Sequence, residues 1–134
     1  MNQSTQLHTG GCLCGAIQYT LKGDPTYCGN CHCHTCQKSA GAGVVTWVGI
    51  KPENFEITSG EITYYASSPG HQRGFCSICS SSLTMTGEQY TDVGITASTL
   101  DDPALAKPES NVFIDHKPPW IVINESLRNY NQGP

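Results

Sequence analysis

Eight cysteines carry most of the chemistry open to this chain, and their spacing says of what kind. They fall as Cys12-x-Cys14, then Cys28-x-x-Cys31-x-Cys33-x-x-Cys36, then Cys76-x-x-Cys79. Thiolates one or two residues apart can turn onto one tetrahedral ion, with Zn–S bonds of about 2.3 Å. A disulfide framework is the other use of an even cysteine count. It needs Cα atoms roughly 4.4–6.8 Å apart and well-aimed Cβ vectors, which neighbours in Cys-x-Cys seldom offer. A chain of 134 residues also exceeds the small scaffolds that rely on disulfides for lack of a core. The clusters read as metal half-sites.

Eight thiols fill two sulfur-rich sites, so two zinc ions per chain are expected, the second open to partial occupancy. Cys12 and Cys14 supply two ligands, Cys76 and Cys79 two more, and together they complete a closed, structural site. Cys31, Cys33 and Cys36 give three ligands from one turn, and three protein ligands with an open position is the arrangement of catalytic zinc. Cys28 stands at a ligand-compatible spacing. It either closes the second site as a fourth sulfur or stays a reduced, part-buried thiol.

Strands must position these clusters. Ala16–Leu21 alternates, with Ile17, Tyr19 and Leu21 on one face. Val44–Ile50 is β-branched and bounded by glycine, which suits a buried strand. Glu56–Thr58 and Ile62–Tyr65 flank Ser59-Gly60-Glu61, which predicts a compact hairpin. Further strands are expected over Gly74–Cys76, Ser82–Thr86, Val93–Ala97 and Val112–Ile114. Helix is scarce: one turn at Thr35–Ala40, capped by Thr35 and ended by Gly41, and another from Asp101 or Asp102 with Pro103 at its first position. Pro118-Pro119-Trp120 reads as a rigid loop and Asn129–Pro134 as a frayed tail. The expectation is one all-β zinc-binding domain over residues 1–134, with two or three helical turns.

Composition narrows the function. Hydrophobic residues make up 37% of the chain and eight of them are cysteines, so the core is thin and metal must help hold it. Seven Lys and Arg against eleven Asp and Glu leave a net charge of −4 with no basic run. That excludes the electrostatic footprint of a nucleic-acid binder. No apolar stretch is long enough to span a membrane. Met1–His8 lacks the basic and apolar regions of a secretory leader, which predicts a cytoplasmic protein.

The sequence resembles the glutathione-dependent formaldehyde-activating family, which includes centromere protein V. The resemblance rests on Gly10-Gly11-Cys12-Leu13-Cys14-Gly15, on Cys31-His32-Cys33-His34-Thr35-Cys36 with Gly41 following, and on Arg73-Gly74-Phe75-Cys76-Ser77-Ile78-Cys79. Asp115-His116-Lys117-Pro118-Pro119-Trp120 is similar to its closing segment. The resemblance implies a β-tent fold of twisted antiparallel sheets, a structural zinc on Cys12, Cys14, Cys76 and Cys79, and a second zinc on Cys31, Cys33 and Cys36. It also implies carbon–sulfur lyase chemistry, the addition of glutathione to formaldehyde or its reverse. Two positions depart from the family pattern. Cys28 stands where the family usually has no cysteine, and Ser80 where it usually has glycine, at a turn that wants φ > 0.

Around the ligands, His32 and His34 are expected to flank the ion rather than bind it, and Thr35 to cap the turn. Arg73 is read as a carboxylate clamp or a salt bridge, Trp47 and Trp120 as core or pocket wall, and His116 as a candidate acid or base. A zinc-dependent enzyme acting on a thiol adduct, with glutathione as the small-molecule partner, is the first function these residues suggest. A non-catalytic zinc-stabilised protein-binding module and a thiol redox or metal sensor are the alternatives.

Overall fold

Alternating and β-branched segments become strands throughout the computed structural model, which describes residues 6–133. A small antiparallel sheet is built from β1 (Leu7–Gly11), β2 (Gln18–Lys22) and β5 (Phe55–Ser59), in the order β1-β2-β5. The large sheet holds β3 (Tyr27–Cys31), β4 (Val45–Ile50), β6 (Thr63–Ser68), β7 (His71–Phe75), β8 (Ser82–Gly87), β9 (Val93–Thr96), β10 (Ser110–Val112) and β11 (Arg128–Asn129). Its order is β11-β10-β3-β4-β9-β8-β7-β6. The all-β expectation holds, with α1 (His34–Ala40) the one α-helix among the described residues.

The core lies between the sheets. Ile17, Tyr19 and Leu21 bury the alternating face that the sequence marks on β2, against Val48, Ile50, Leu83 and Ile95 of the large sheet. Cys12, Cys28 and Cys76 are part of this packing. The opposite parity of β4 sends Val45 and Trp47 into a second cluster with Cys31 and Cys36. Each sulfur site is thus rooted in its own hydrophobic cluster.

Four local expectations are corrected. Ser59-Gly60-Glu61 does turn, with Gly60 at φ +78°, but it makes no hairpin. β5 pairs with β2 and β6 with β7, so the chain crosses there from one sheet to the other. A side chain at Gly60 would collide with the Ala16 carbonyl, so the crossing needs glycine for space as well as for φ. Next, the sheets are not wholly antiparallel: β10 runs parallel to both β3 and β11.

The tail is also held rather than frayed as far as residue 133. Tyr130 donates its N–H to the Asn111 carbonyl at 2.9 Å and Phe113 donates to the Gln132 carbonyl at 3.0 Å. Pro134 lies outside the described residues. Finally, Trp47 is buried as expected, but Trp120 is 70% exposed and covers Gly43 from the surface. Gly41 ends α1 in the left-handed region and Asp102 caps a 3-10 turn at Pro103, both as the sequence indicates.

Candidate metal centres

The ligand sulfurs of Cys12, Cys14, Cys76 and Cys79 all lie within 4.8 Å of one another, as do those of Cys31, Cys33 and Cys36. No disulfide joins any of the eight cysteines. In a tetrahedron with Zn–S bonds of about 2.3 Å, neighbouring sulfurs stand about 3.8 Å apart. Cys12 and Cys14 stand at 3.6 Å, Cys14 and Cys76 at 3.8 Å. The four-sulfur set fits a tetrahedral ion, and both sets could hold a metal.

Tight turns aim the distal four. Gly15 sits at φ +80° after the first pair, and the Ile17 N–H donates to Cys12 Sγ at 3.2 Å. After the second pair, Ser80 takes φ +68°, the left-handed conformation expected of that knuckle, with its N–H on the Cys76 carbonyl at 2.8 Å. Hydrogen bonds divide the charge among these sulfurs. The Ser81 hydroxyl and then the Cys14 and Ser81 backbone bring the Cys79 thiol down to about 5. Cys14 is pushed up to about 11: the Ala16 N–H lowers it, but desolvation and its sulfur neighbours outweigh that bond.

At the central site, β3 delivers Cys31 and α1 delivers Cys36, with Cys33 between them. The helix cap is Cys33, not Thr35: its backbone is extended at φ −63°, ψ 148°, and its sulfur accepts the Cys36 N–H at 3.3 Å. Hydrogen bonds from Cys31 and then Cys36 hold the Cys33 thiol down to about 2, helped by that N–H and by the charge of Arg73. Cys31, hydrogen-bonded to the same sulfurs and buried, is pushed up. One proton-poor sulfur shared among three is a set primed to bind a cation.

The structure does not bring Cys28 to this group. Cys28 and Cys31 are three residues apart on β3, so their side chains leave opposite faces of the sheet. Cys28 packs in the main core and Cys31 in the second cluster. Burial raises the Cys28 thiol, as for a reduced core cysteine. The central set is three sulfurs.

Arg73 supplies what the sequence could not show. It is 9% exposed, and its Nη1 and Nη2 lie 3.7 and 3.6 Å from Cys36 Sγ while Nε donates to the Ser67 hydroxyl at 3.2 Å. Neither partner is a carboxylate: the guanidinium faces the sulfur cluster. His32 is buried with Nδ1 3.2 Å from the Val112 carbonyl, and burial lowers its pKa. His34 stacks on His116 at 4.2 Å, and its N–H donates to His116 Nδ1 at 3.3 Å. Gln37 Nε2 donates to the carbonyls of both His32 and His116, tying α1 to the C-terminal segment.

A cleft of about 210 Å³ opens beside Cys36 and Arg73, walled by Val45, Trp47, Tyr65 and Phe75. Trp47 Nε1 and Thr84 Oγ1, from two residues lining it, are buried without a hydrogen-bond partner. Such groups cost about 1–3 kcal/mol each. Only their tertiary placement reveals them.

Residues 7–116 match the model of the glutathione-dependent formaldehyde-activating enzyme family. No curated protein sequence matches the chain. Among solved structures, a crystal structure of a Rhodobacter sphaeroides protein is similar, with a TM-score of 0.59 at 16% identity. The superposition covers 69% of this chain and 87% of that one, a likeness of fold. No helix among the described residues is long and apolar enough to cross a membrane.

Proposed function

The chain belongs to the glutathione-dependent formaldehyde-activating enzyme family, and from that premise we propose a zinc-dependent carbon–sulfur lyase-type enzyme. Its substrate is a glutathione, or other thiol, adduct of formaldehyde or a related small electrophile. The observation that carries this reading is the central set itself: three sulfurs and no fourth, beside a cleft, with a buried guanidinium on Cys36. Cys31, Cys33 and Cys36 would hold the zinc, which would supply the Lewis acidity that makes a nearby thiol easier to deprotonate.

The rest is work for the chain's own residues. Arg73 offsets the negative charge of the sulfurs, so that one more thiolate is less strongly repelled. Gln37 and the Cys33 cap fix the turn that carries the ligands. Tyr65, Trp47 and Phe75 give the cleft aromatic walls, apolar surface against which a substrate can pack beside the ligand sulfurs. Cys12, Cys14, Cys76 and Cys79 hold a closed, structural zinc. Eight free thiols support a reducing compartment, and we place the protein in the cytoplasm.

Replacing Cys33 by serine should abolish adduct formation from glutathione and formaldehyde, followed by NMR, while leaving the fold in place. Calorimetry should find glutathione binding only when the central zinc is present. Equal binding with that metal and without it would sink the proposal.

A further inference from the structure

An open sheet has to protect its edges, because an unpaired row of N–H and C=O groups is a template for another strand. Three of the four edges in this fold are protected. β1 is covered by the chain after β9: Asp101 donates its N–H to the Thr9 carbonyl at 2.9 Å, and Gly10 bridges Leu100. β5 carries the charge of Glu56, and β11 is two residues long and carries Arg128. The edge strand β6 is six residues long, and from Ile62 to Ser68 the chain holds no charge, no proline and no glycine. Among the described residues its backbone pairs with β7 alone. A register shift follows Ala66, which leaves Thr63–Ala66 in unbroken pairing with that strand. All four of these residues are exposed, Tyr64 by 53% and Tyr65 by 66%. The two rings leave opposite faces of the sheet, Tyr64 against Gly74 and Tyr65 across from Arg73 at the wall of the cleft.

We propose that β6 pairs antiparallel with β6 of a second copy of this chain, joining two eight-stranded sheets into one and bringing the second strand to the rim of the cleft that Tyr65 lines. A two-fold axis normal to the sheet sets the strand against its own sequence reversed, so what decides the fit is whether β6 tolerates itself. It does: no charged residue falls within the seam, and the flanking Glu61 of each copy lies at the opposite end from the other. Like charges facing one another across strands would be destabilising, whereas aromatic pairs stabilise them. Two chains that each carry a net charge of −4 repel one another, and a neutral edge is where that repulsion is smallest. Six residues a side against about 20–30 in a standard interface make the contact small. Standard interfaces run from micromolar to picomolar, so this one belongs at the micromolar end. The pairing stands whether or not the cleft turns over a thiol adduct.

The test uses the full, zinc-loaded chain. Sedimentation equilibrium from about 1 μM to about 1 mM should show one reversible monomer–dimer step. Hydrogen exchange followed by mass spectrometry should slow at Thr63–Ala66 as the concentration rises through that step, with β1, β5 and β11 unaffected. Thr63→Lys places an ammonium at the seam in each copy, from an exposed position, and should raise the dissociation constant at least tenfold. Thr63→Val keeps the edge neutral and should leave the constant within about threefold of wild type. Below the step, both variants should melt with the wild-type chain, which separates a weakened seam from a damaged fold. A chain that stays monomeric up to about 1 mM overturns the proposal, whether β6 then stays bare or takes a strand of another protein. A dimer whose protected amides lie elsewhere, or one that Thr63→Lys leaves intact, overturns it as well.

Discussion

Replacing Cys76 by serine tests whether the distal sulfurs act as a clip. A zinc shared by Cys14 and Cys76 cross-links positions 62 residues apart. The chain-entropy expression for a cross-link over that span gives about 4 kcal/mol, against about 2 kcal/mol for the five-residue span from Cys31 to Cys36. At about 2.1 cal/mol/K per residue, 134 residues have an unfolding entropy near 0.28 kcal/mol/K, so these become about 15 °C and about 7 °C. Cys76→Ser should therefore lower the melting temperature about twice as far as Cys33→Ser. Serine nearly conserves volume, and chelating the wild-type protein checks the packing term, because it should lower melting at least as far as Cys76→Ser does. Differential scanning calorimetry with parallel zinc analysis reads both quantities. A Cys76→Ser protein that keeps two zinc ions, or melts within about 3 °C of wild type, would refute the reasoning.

Two further outcomes follow from the central site. Metal binds the deprotonated sulfurs, and Cys31 is held above its ordinary value by Cys33, Cys36 and burial, so loading near neutral pH must displace a proton. Apparent zinc affinity in a chelator competition should rise with pH, by about tenfold per unit for one proton displaced; an affinity flat between pH 6 and about pH 8 would refute this. Arg73→Met removes the two contacts to Cys36 Sγ and should weaken zinc binding roughly 10–100-fold, with Arg73→Lys failing to restore it because a point charge cannot reproduce the paired contact. Wild-type affinity in Arg73→Met would show the guanidinium to be packing only.

How much of this was legible in advance depended on distance along the chain. The two groupings of sulfurs were legible because each is assembled from a local pair or triplet whose spacing states its geometry. The glycine at the end of α1 and the aspartate before Pro103 were legible for the same reason. Turn chemistry misled where the question was not whether the chain bends but which strand receives it. Gly60 turns as expected, yet β5 is taken by β2 and β6 by β7. The strand expected at Val112–Ile114 forms instead over Ser110–Val112 as β10, held from both sides by its parallel partners β3 and β11, while Ile114 opens a 3-10 turn.

Cys28 shows how a ligand spacing and a strand parity can conflict. Read as a knuckle, Cys28-x-x-Cys31 offers two sulfurs to one ion. Read as a strand, the same separation sends them to opposite faces, and pairing of β3 with β4 decides for the strand, setting Cys28 beside Val48 and Cys31 beside Val45. The same decision shapes the chemistry, since the side that loses a fourth sulfur is the side on which Arg73, Trp47 and Met85 gather. Those three come from β7, β4 and β8, and no pair of them is close in sequence. A closed site can be written into a short motif, but an open one needs its remaining position surrounded by groups that only the assembled sheet brings together.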